Sequence, residues 1–388
     1  MKKGFLYSML FLAMGIMPFA LVSCGDDDDD SGSGSLVPSI PADGNASANP
    51  TLPDSAHTVI PNLNYTIQTE NGQTVIRFDL TGIQDPELKS WLRLYGTSQS
   101  QQNVWLSIDG QKKGITVHNT IDDASNNTQA AVDLVFLVDN SGSMDEEADT
   151  IAKDIIDWSA NLAKTLDIRF GCVGYDVSGY VNGAFDFNTA DSLSSYLNRE
   201  GYTYWGTERT VGFLDETLET AAANYGRVWD ECGVMALRFA NDKFSFRTGA
   251  NRVYVNFTDE PNQPDGEEQW SVNWVKDPAN WPTTNGTVHT VFSEDSTYYS
   301  YYWEDLYDER PWLLSDYTGG TTIFAPSDFK GVSLDDLPIT GALQNSYYIR
   351  VTNVENLFDG QEHTVKITIL SPNGTVRAER EYKVVFTK

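Results

Sequence analysis

The sequence predicts an α/β protein with two parts. One is a doubly wound, mostly parallel sheet flanked by helices; the other is a β-sandwich formed from the two ends of the chain. Three observations carry this. The middle of the chain alternates short β-branched runs with longer helical stretches, as in Val132-Asp133-Leu134-Val135-Phe136-Leu137-Val138 followed by Met144 to Leu166, and such alternation builds parallel βαβ units. Both flanks instead alternate residue by residue, as half-buried antiparallel strands do. Neither flank alone has enough strands for a sandwich, and short sheets with open edges are poorly stable, which favours joining the two.

Residues 1–23 read as a secretory signal: Lys2 and Lys3 precede the apolar stretch Phe5 to Ala20, and Leu21-Val22-Ser23-Cys24 follows. An apolar segment this short spans a bilayer poorly. Residues 24–57 open with the run Asp26 to Asp30 and continue rich in Gly, Ser, Pro and Asn, the composition of a disordered tether.

Residues 58–128 form the first part of the sandwich. Tyr65 to Gln68 and Thr74 to Leu80 flank the hairpin signal Glu70-Asn71-Gly72, and strands follow at Leu92 to Tyr95, Val104 to Gly110 and Ile115 to Val117. The second part is residues 344–388, with strands at Tyr347 to Val351, His363 to Ile369 and Glu381 to Phe386 and a hairpin at Pro372-Asn373-Gly374.

The central domain is residues 129–343. In its first helix, Met144 to Leu166, Ile151, Ile155, Trp158, Leu162 and Leu166 line one face, and Asp145, Glu146 and Glu147 sit exposed in the first turn, where the helix dipole favours them. A strand at 169–175, an edge strand at 184–187 and a short helix at 191–199 follow. Val211, Leu214, Leu218, Ala221 and Tyr225 mark another helix, and residues 226–250 read as an insertion carrying Cys232. Strands at 252–258, 288–293 and 321–325 and a closing helix at 334–343, despite Pro338, complete the domain.

The formal net charge of −29 over 388 residues excludes a nucleic-acid surface, which needs basic patches. It fits an extracellular protein bathed in divalent cations, and equally plain solubility. Cys172 and Cys232 remain after removal of the signal, and the sequence leaves open whether they pair or stay as buried free thiols.

The chemistry concentrates at Asp139-Asn140-Ser141-Gly142-Ser143, where the first buried strand of the central domain stops. A carboxylate and two hydroxyls sit on one tight turn at a strand's carboxyl end, the edge where open α/β sheets bind ligands. Such oxygen donors suit a hard divalent cation, and with no imidazole or thiolate nearby zinc fits poorly. Two further stretches belong with it: Arg252 to Asp259, another strand ending in aspartate, and Trp205-Gly206-Thr207-Glu208-Arg209-Thr210-Val211-Gly212-Phe213-Leu214.

The pentad resembles the metal-ion-dependent adhesion site (MIDAS), Asp-x-Ser-x-Ser, of von Willebrand factor type A (VWA) domains. Thr258-Asp259 resembles the family's Thr-Asp-Gly, and Gly206-Thr207 its threonine loop, over roughly residues 130 to 343. The resemblance implies a Rossmann-like VWA sheet and a divalent cation, Mg2+ before Mn2+ or Ca2+, held by Asp139, Ser141, Ser143, Thr207 and Asp259. Thr207 lies one residue too far from Leu214 for the family spacing, so Thr210 is its rival. The family's cation binds an acidic side chain of a protein partner, and Glu260, which replaces the usual glycine, stands at that partner-binding position. The flanking strands are expected to form an immunoglobulin-like sandwich.

The end of the signal resembles a bacterial lipobox, which implies lipidation at Cys24 and attachment to the membrane. The acidic run after it resembles the surface-export signal of Bacteroidota lipoproteins, which implies the outer membrane and the cell surface. The loop Glu294 to Arg310 carries Tyr298, Tyr299, Tyr301, Tyr302 and Trp303, rings that either border a partner-binding surface or cover a sheet edge. No general base or nucleophile accompanies the pentad, so the expectation is a non-enzyme. The expected function is cation-dependent protein binding in adhesion or complex assembly; the alternative is a non-catalytic structural or accessory subunit of a surface fibre or outer-membrane complex.

Overall fold

The computed structural model describes residues 39–52, 60–85, 87–119, 131–144, 147–176, 178–198, 210–293, 304–327, 329, 334 and 338–388. Ser39–Lys388 forms one compact unit. The signal segment, the acidic run and Cys24 lie outside the described residues. Among those described, no helix is long and apolar enough to cross a membrane.

The chain begins with β1 (Leu63–Glu70) and β2 (Gln73–Leu80), joined by Asn71 and Gly72 at φ 49° and 78°. Two successive positive φ angles are what a type I′ hairpin requires. Next come β3 (Val104–Ile108), β4 (Gln111–Lys112) and β5 (Ile115–Asn119). The strand expected at Leu92 to Tyr95 does not form. Side-chain amides replace a neighbouring strand there: Asn119 Oδ1 accepts from the Leu94 N–H at 3.1 Å, and Asn103 Oδ1 from the Tyr95 N–H at 2.8 Å. The segment's backbone is thus satisfied without a ladder.

The central domain follows with β6 (Val132–Asp139), α1 (Ala148–Leu162), β7 (Ile168–Tyr175), β8 (Val181–Asn188), α2 (Ala190–Leu197), β9 (Gly212–Phe213), α3 (Glu216–Ala223) and α4 (Gly233–Lys243). It ends with β10 (Asn251–Thr258), α5 (Val272–Lys276), β11 (Thr287–Phe292), α6 (Leu313–Thr318), β12 (Thr322–Phe324) and α7 (Pro338–Gln344). The seven strands form one sheet in the order β12-β11-β10-β6-β7-β8-β9, parallel throughout except for β7 against β8.

Alternate residues of β6 feed two cores. Leu134, Phe136 and Val138 pack with α1, α2 and Leu343 of α7; Val135 and Leu137 pack with α3, α4, α5 and Leu314 of α6. Both faces are covered, which is why β6 reads as a continuous apolar run.

Three expectations are corrected, and the open question of the cysteines is decided. Residues 226–250 are not a peripheral insertion: α4 buries Val234, Met235, Leu237 and Phe239 against the sheet. Cys172 and Cys232 are free and buried in opposite cores, so the sheet itself separates them. Glu147 is buried, not exposed, and accepts a hydrogen bond from Ser293 Oγ at 2.5 Å. Residues 184–187 lie within β8, which is not an edge strand because β9 pairs beside it. Pro338 is the first residue of α7, where its missing N–H costs nothing.

The chain returns through β13 (Tyr347–Val351), β14 (His363–Leu370) and β15 (Arg377–Val384). Two four-stranded sheets, β1-β2-β13-β5 and β15-β14-β3-β4, each mix strands from before and after the central domain. They enclose one core that includes Phe78, Leu106, Ile349 and Ile367. This module meets the central sheet at its amino edge: Asn62 Nδ2 donates to the Gly286 carbonyl at 2.7 Å, and Asn64 Nδ2 donates to that of Ala250. Gly286 and Ala250 immediately precede β11 and β10, so the carboxyl edge of the sheet faces away from the β module.

Candidate metal centre

From β6 the chain passes to β7 on one side and later returns to β10 on the other. The helix after β6, α1, lies on one face, and the helix after β10, α5, on the other. A crevice opens at the carboxyl ends of two strands that part company in this way. Phe257 pairs in register with Val138, which brings Thr258 level with Asp139 and Asp259 one residue beyond.

Four of the five expected ligands meet there. Asp139 is buried; its Oδ1 accepts from the Ser141 N–H at 2.9 Å and its Oδ2 from the Thr258 hydroxyl at 2.8 Å. Ser141 Oγ lies 2.9 Å from Ser143 Oγ, which donates to Asp259 Oδ1 at 3.0 Å. Oxygen atoms of Ser143 and Asp259, 116 residues apart in the turns that follow two strands, are thus linked by a hydrogen bond.

Thr207 lies outside the described residues. Its rival Thr210 is buried and lines the same small cavity as Asp139, but its hydroxyl donates to Asn140 Oδ1 at 2.6 Å. Asn140 Nδ2 in turn donates to Asn182 Oδ1 at 3.0 Å, and the Thr210 carbonyl accepts from the Tyr196 hydroxyl. Thr210 therefore braces the pentad from behind. Gly174 makes room for this network, because a Cβ there would fall 2.4 Å from Asn140 Nδ2 and 2.8 Å from Thr210 Oγ1.

No family model and no curated protein matches this chain. Among solved structures, it is similar to an aerotolerance-related membrane protein from Bacteroides fragilis NCTC 9343, at 13% identity and TM-score 0.32 over 55% of this chain and 98% of that one. It is similar to BatB from Bacteroides thetaiotaomicron at 12% identity and TM-score 0.31, over 55% and 97% of the two chains. The vWF domain of the type V pili tip protein Mfa5 from Porphyromonas gingivalis follows at 17% identity and TM-score 0.21, over 35% and 40%. By its own strand order and pairing, the central domain is an open, mostly parallel α/β sheet with helices on both faces.

Charge distinguishes this edge. Burial, then the charge of Asp259, push the Asp139 carboxyl well above the usual range, against the hydrogen bonds from Ser141 and Thr258. Glu260 is pushed up to about 7 by burial and then by the charges of Asp259 and Asp230. Glu231, in the turn before α4, is pushed up to about 11 by burial, its hydrogen bond with Asp230 and the charge of Asp139. Gln263 Nε2 donates to Glu231 Oε2 and Glu260 Oε2, both at 3.0 Å.

Thr258, Glu231, Gln263 and Asn182 are the participants that sequence reading did not single out. Thr258 carried a signal, as the residue before Asp259; Glu231 lay in the stretch read as an insertion. Among the described residues, no group of three His, Cys, Asp or Glu side chains is placed to hold a metal alone. Tyr298, Tyr299, Tyr301, Tyr302 and Trp303 lie outside the described residues. The end of their loop is pinned: Arg310 stacks 3.8 Å over the Tyr307 ring, and Glu309 accepts from the Val272 N–H at 3.0 Å.

Proposed function

We propose that the carboxyl edge of the central sheet binds a divalent cation, Mg2+ foremost, through Asp139, Ser141, Ser143 and Asp259, with Thr207 as a further ligand. An acidic side chain of a partner protein completes the coordination. The observation that carries this reading is Asp139 itself: it is 1% exposed, lies near a second carboxylate, and has no basic side chain paired with it among the described residues. A buried carboxylate without a counter-ion is costly. The donors are all hard oxygens, the set that Mg2+, Mn2+ and Ca2+ accept.

Two carboxylates balance the charge of one divalent ion, and hydroxyl ligands add none. An incoming carboxylate thus meets no net negative charge at the ion itself, even on a protein of net charge −29, and can take a coordination position that the protein leaves open. No nucleophile or general base belongs to the reading, so the role is binding rather than catalysis. The site opens away from the β module, which we read as an immunoglobulin-like stalk behind an export signal, with a lipid on Cys24 tethering it to the cell surface. Adhesion and complex assembly both use a site so displayed.

Calorimetric titration of Mg2+ into chelator-treated protein tests this. The expected result is one site, abolished by Asp139→Ala and by Asp259→Ala, weakened by Thr207→Val and unaffected in stoichiometry by Thr210→Val. Mg2+ at a hundred times its Kd should add about 2.7 kcal/mol to unfolding stability. The absence of both a binding heat and a stability gain would remove the cation from the function.

A further inference from the structure

We propose that the partner contacts this edge at a second point, where Trp229 receives an arginine or lysine lying within a few residues of the acidic side chain that reaches the cation. This rests on the cation reading above and says what kind of partner sequence it selects.

Trp229 is 82% exposed, in a segment where its neighbour Val228 is buried. An indole held in water is the best ring for a cation to cover and a preferred anchor at interfaces. Its position is fixed from two sides. The Val228 N–H donates to the Gly179 carbonyl at 2.9 Å, which ties the segment to the loop after β7 that carries the exposed Tyr180. Gly179 permits that approach, since a Cβ there would fall 2.1 Å from the Val228 oxygen. On the other side the Gln263 N–H donates to the Glu231 carbonyl at 2.9 Å, while its side chain spans Glu231 and Glu260, next to Asp259. A backbone held on both sides of Trp229 loses little freedom on binding.

Charge selects the occupant. Asp230 adjoins Trp229 in the chain and Glu260 lies beyond it, and together they outnumber the segment's single basic residue, Arg227. A partner that offers an acidic side chain alone to this edge is repelled by every carboxylate the cation does not balance. A partner with a basic residue nearby places its positive charge over the indole and among those carboxylates, so both of its charges find the opposite sign.

The probe is a set of synthetic peptides of equal length, with one aspartate and an arginine one to six residues away, beside matching peptides with glutamine for arginine. Binding to the full chain is read by fluorescence anisotropy in Mg2+ and in chelator. The best Asp–Arg peptide should bind about tenfold tighter than its Asp–Gln match. Trp229→Ala, with unchanged circular dichroism, should abolish that advantage and leave weak Mg2+-dependent binding of both. Equal affinity at every spacing, or an advantage that survives Trp229→Ala, overturns the proposal. An arginine advantage that needs Trp229 but persists in chelator and in Asp139→Ala supports this contact and overturns the cation reading. No peptide binding under any condition overturns both.

Discussion

Strand β6 carries a buried aspartate at each end, and the two are treated in opposite ways. Asp133, at the amino edge, is fully buried and held by two arginines: Arg169 Nε and Nη2 donate to it at 3.0 and 2.9 Å, and Arg247 Nε at 2.9 Å, joined by the Arg247 N–H at 2.7 Å. Asp139, six residues on, receives the Ser141 N–H and the hydroxyls of Thr258 and Ser141, lies near a second carboxylate and, among the described residues, pairs with no basic side chain. Among the described residues, the same side chain in the same strand thus has a counter-charge at one end and none at the other. Where the sheet meets the rest of the molecule, arginines answer the buried charge; at the open edge, the described residues answer it with N–H and hydroxyl groups. The difference marks Asp139 as a position arranged for a charge from outside.

The sharpest way to break this comparison is to remove each charge in turn. Asp133→Asn should cost about 3 kcal/mol, with or without Mg2+, because it leaves two arginines without their buried partner. Asp139→Asn in chelator should be neutral or stabilising, since it removes one of two like charges. Urea denaturation of both variants reads the contrast, and an equal loss would erase it.

Packing offers a second test. Trp91, from the β module, lies so close to Gly341 of α7 that a Cβ there would fall 2.1 Å from the indole ring. Gly341→Ala should therefore destabilise the protein by about 2 kcal/mol, the cost of forcing atoms into a filled space. Trp229→Ala, at the open carboxyl edge, should change stability by no more than about 0.5 kcal/mol. Thermal unfolding of the two variants compares a closed junction with an open rim.

The gentlest test is pH. The carboxyls of Asp139 and Glu260 titrate above their usual values in the folded protein, Glu260 at about 7, while in the unfolded chain both ionise in the ordinary carboxylate range. The folded state therefore binds more protons, and metal-free stability should fall as pH rises from the carboxylate range through 7. Mg2+ should flatten or reverse that slope, because the ion takes the place of the protons. Melting temperatures at pH 5 and pH 8, with Mg2+ and with chelator, measure it; a metal-free protein equally stable at both would contradict the charge crowding at this edge.

Sequence reading succeeded where burial leaves a local trace. The unbroken apolar run of β6 announced a strand covered on both faces, and Asn71-Gly72 announced its hairpin. It failed where the deciding partner was distant. Leu92 to Tyr95 alternates like a strand, yet the amides of Asn103 and Asn119 satisfy its backbone. The helix Gly233–Lys243 was hidden in a stretch whose length suggested an insertion, and it is a full layer of one core. Glu147 reads as a surface carboxylate until Ser293, at the end of β11, is seen to close over it.

By itself, the sequence determined most of the elements, the acidic balance, and the shared turn of Asp139, Ser141 and Ser143, because neighbours in the chain remain neighbours in space and periodicity records which face is buried. The resemblance had set Asp259 with them, but tertiary structure alone decided that Glu231 stands beside them and that two cysteines lie on opposite faces of one sheet. Those outcomes follow from strand order and register, which are set by how whole elements stack and leave no mark on the local pattern of residues.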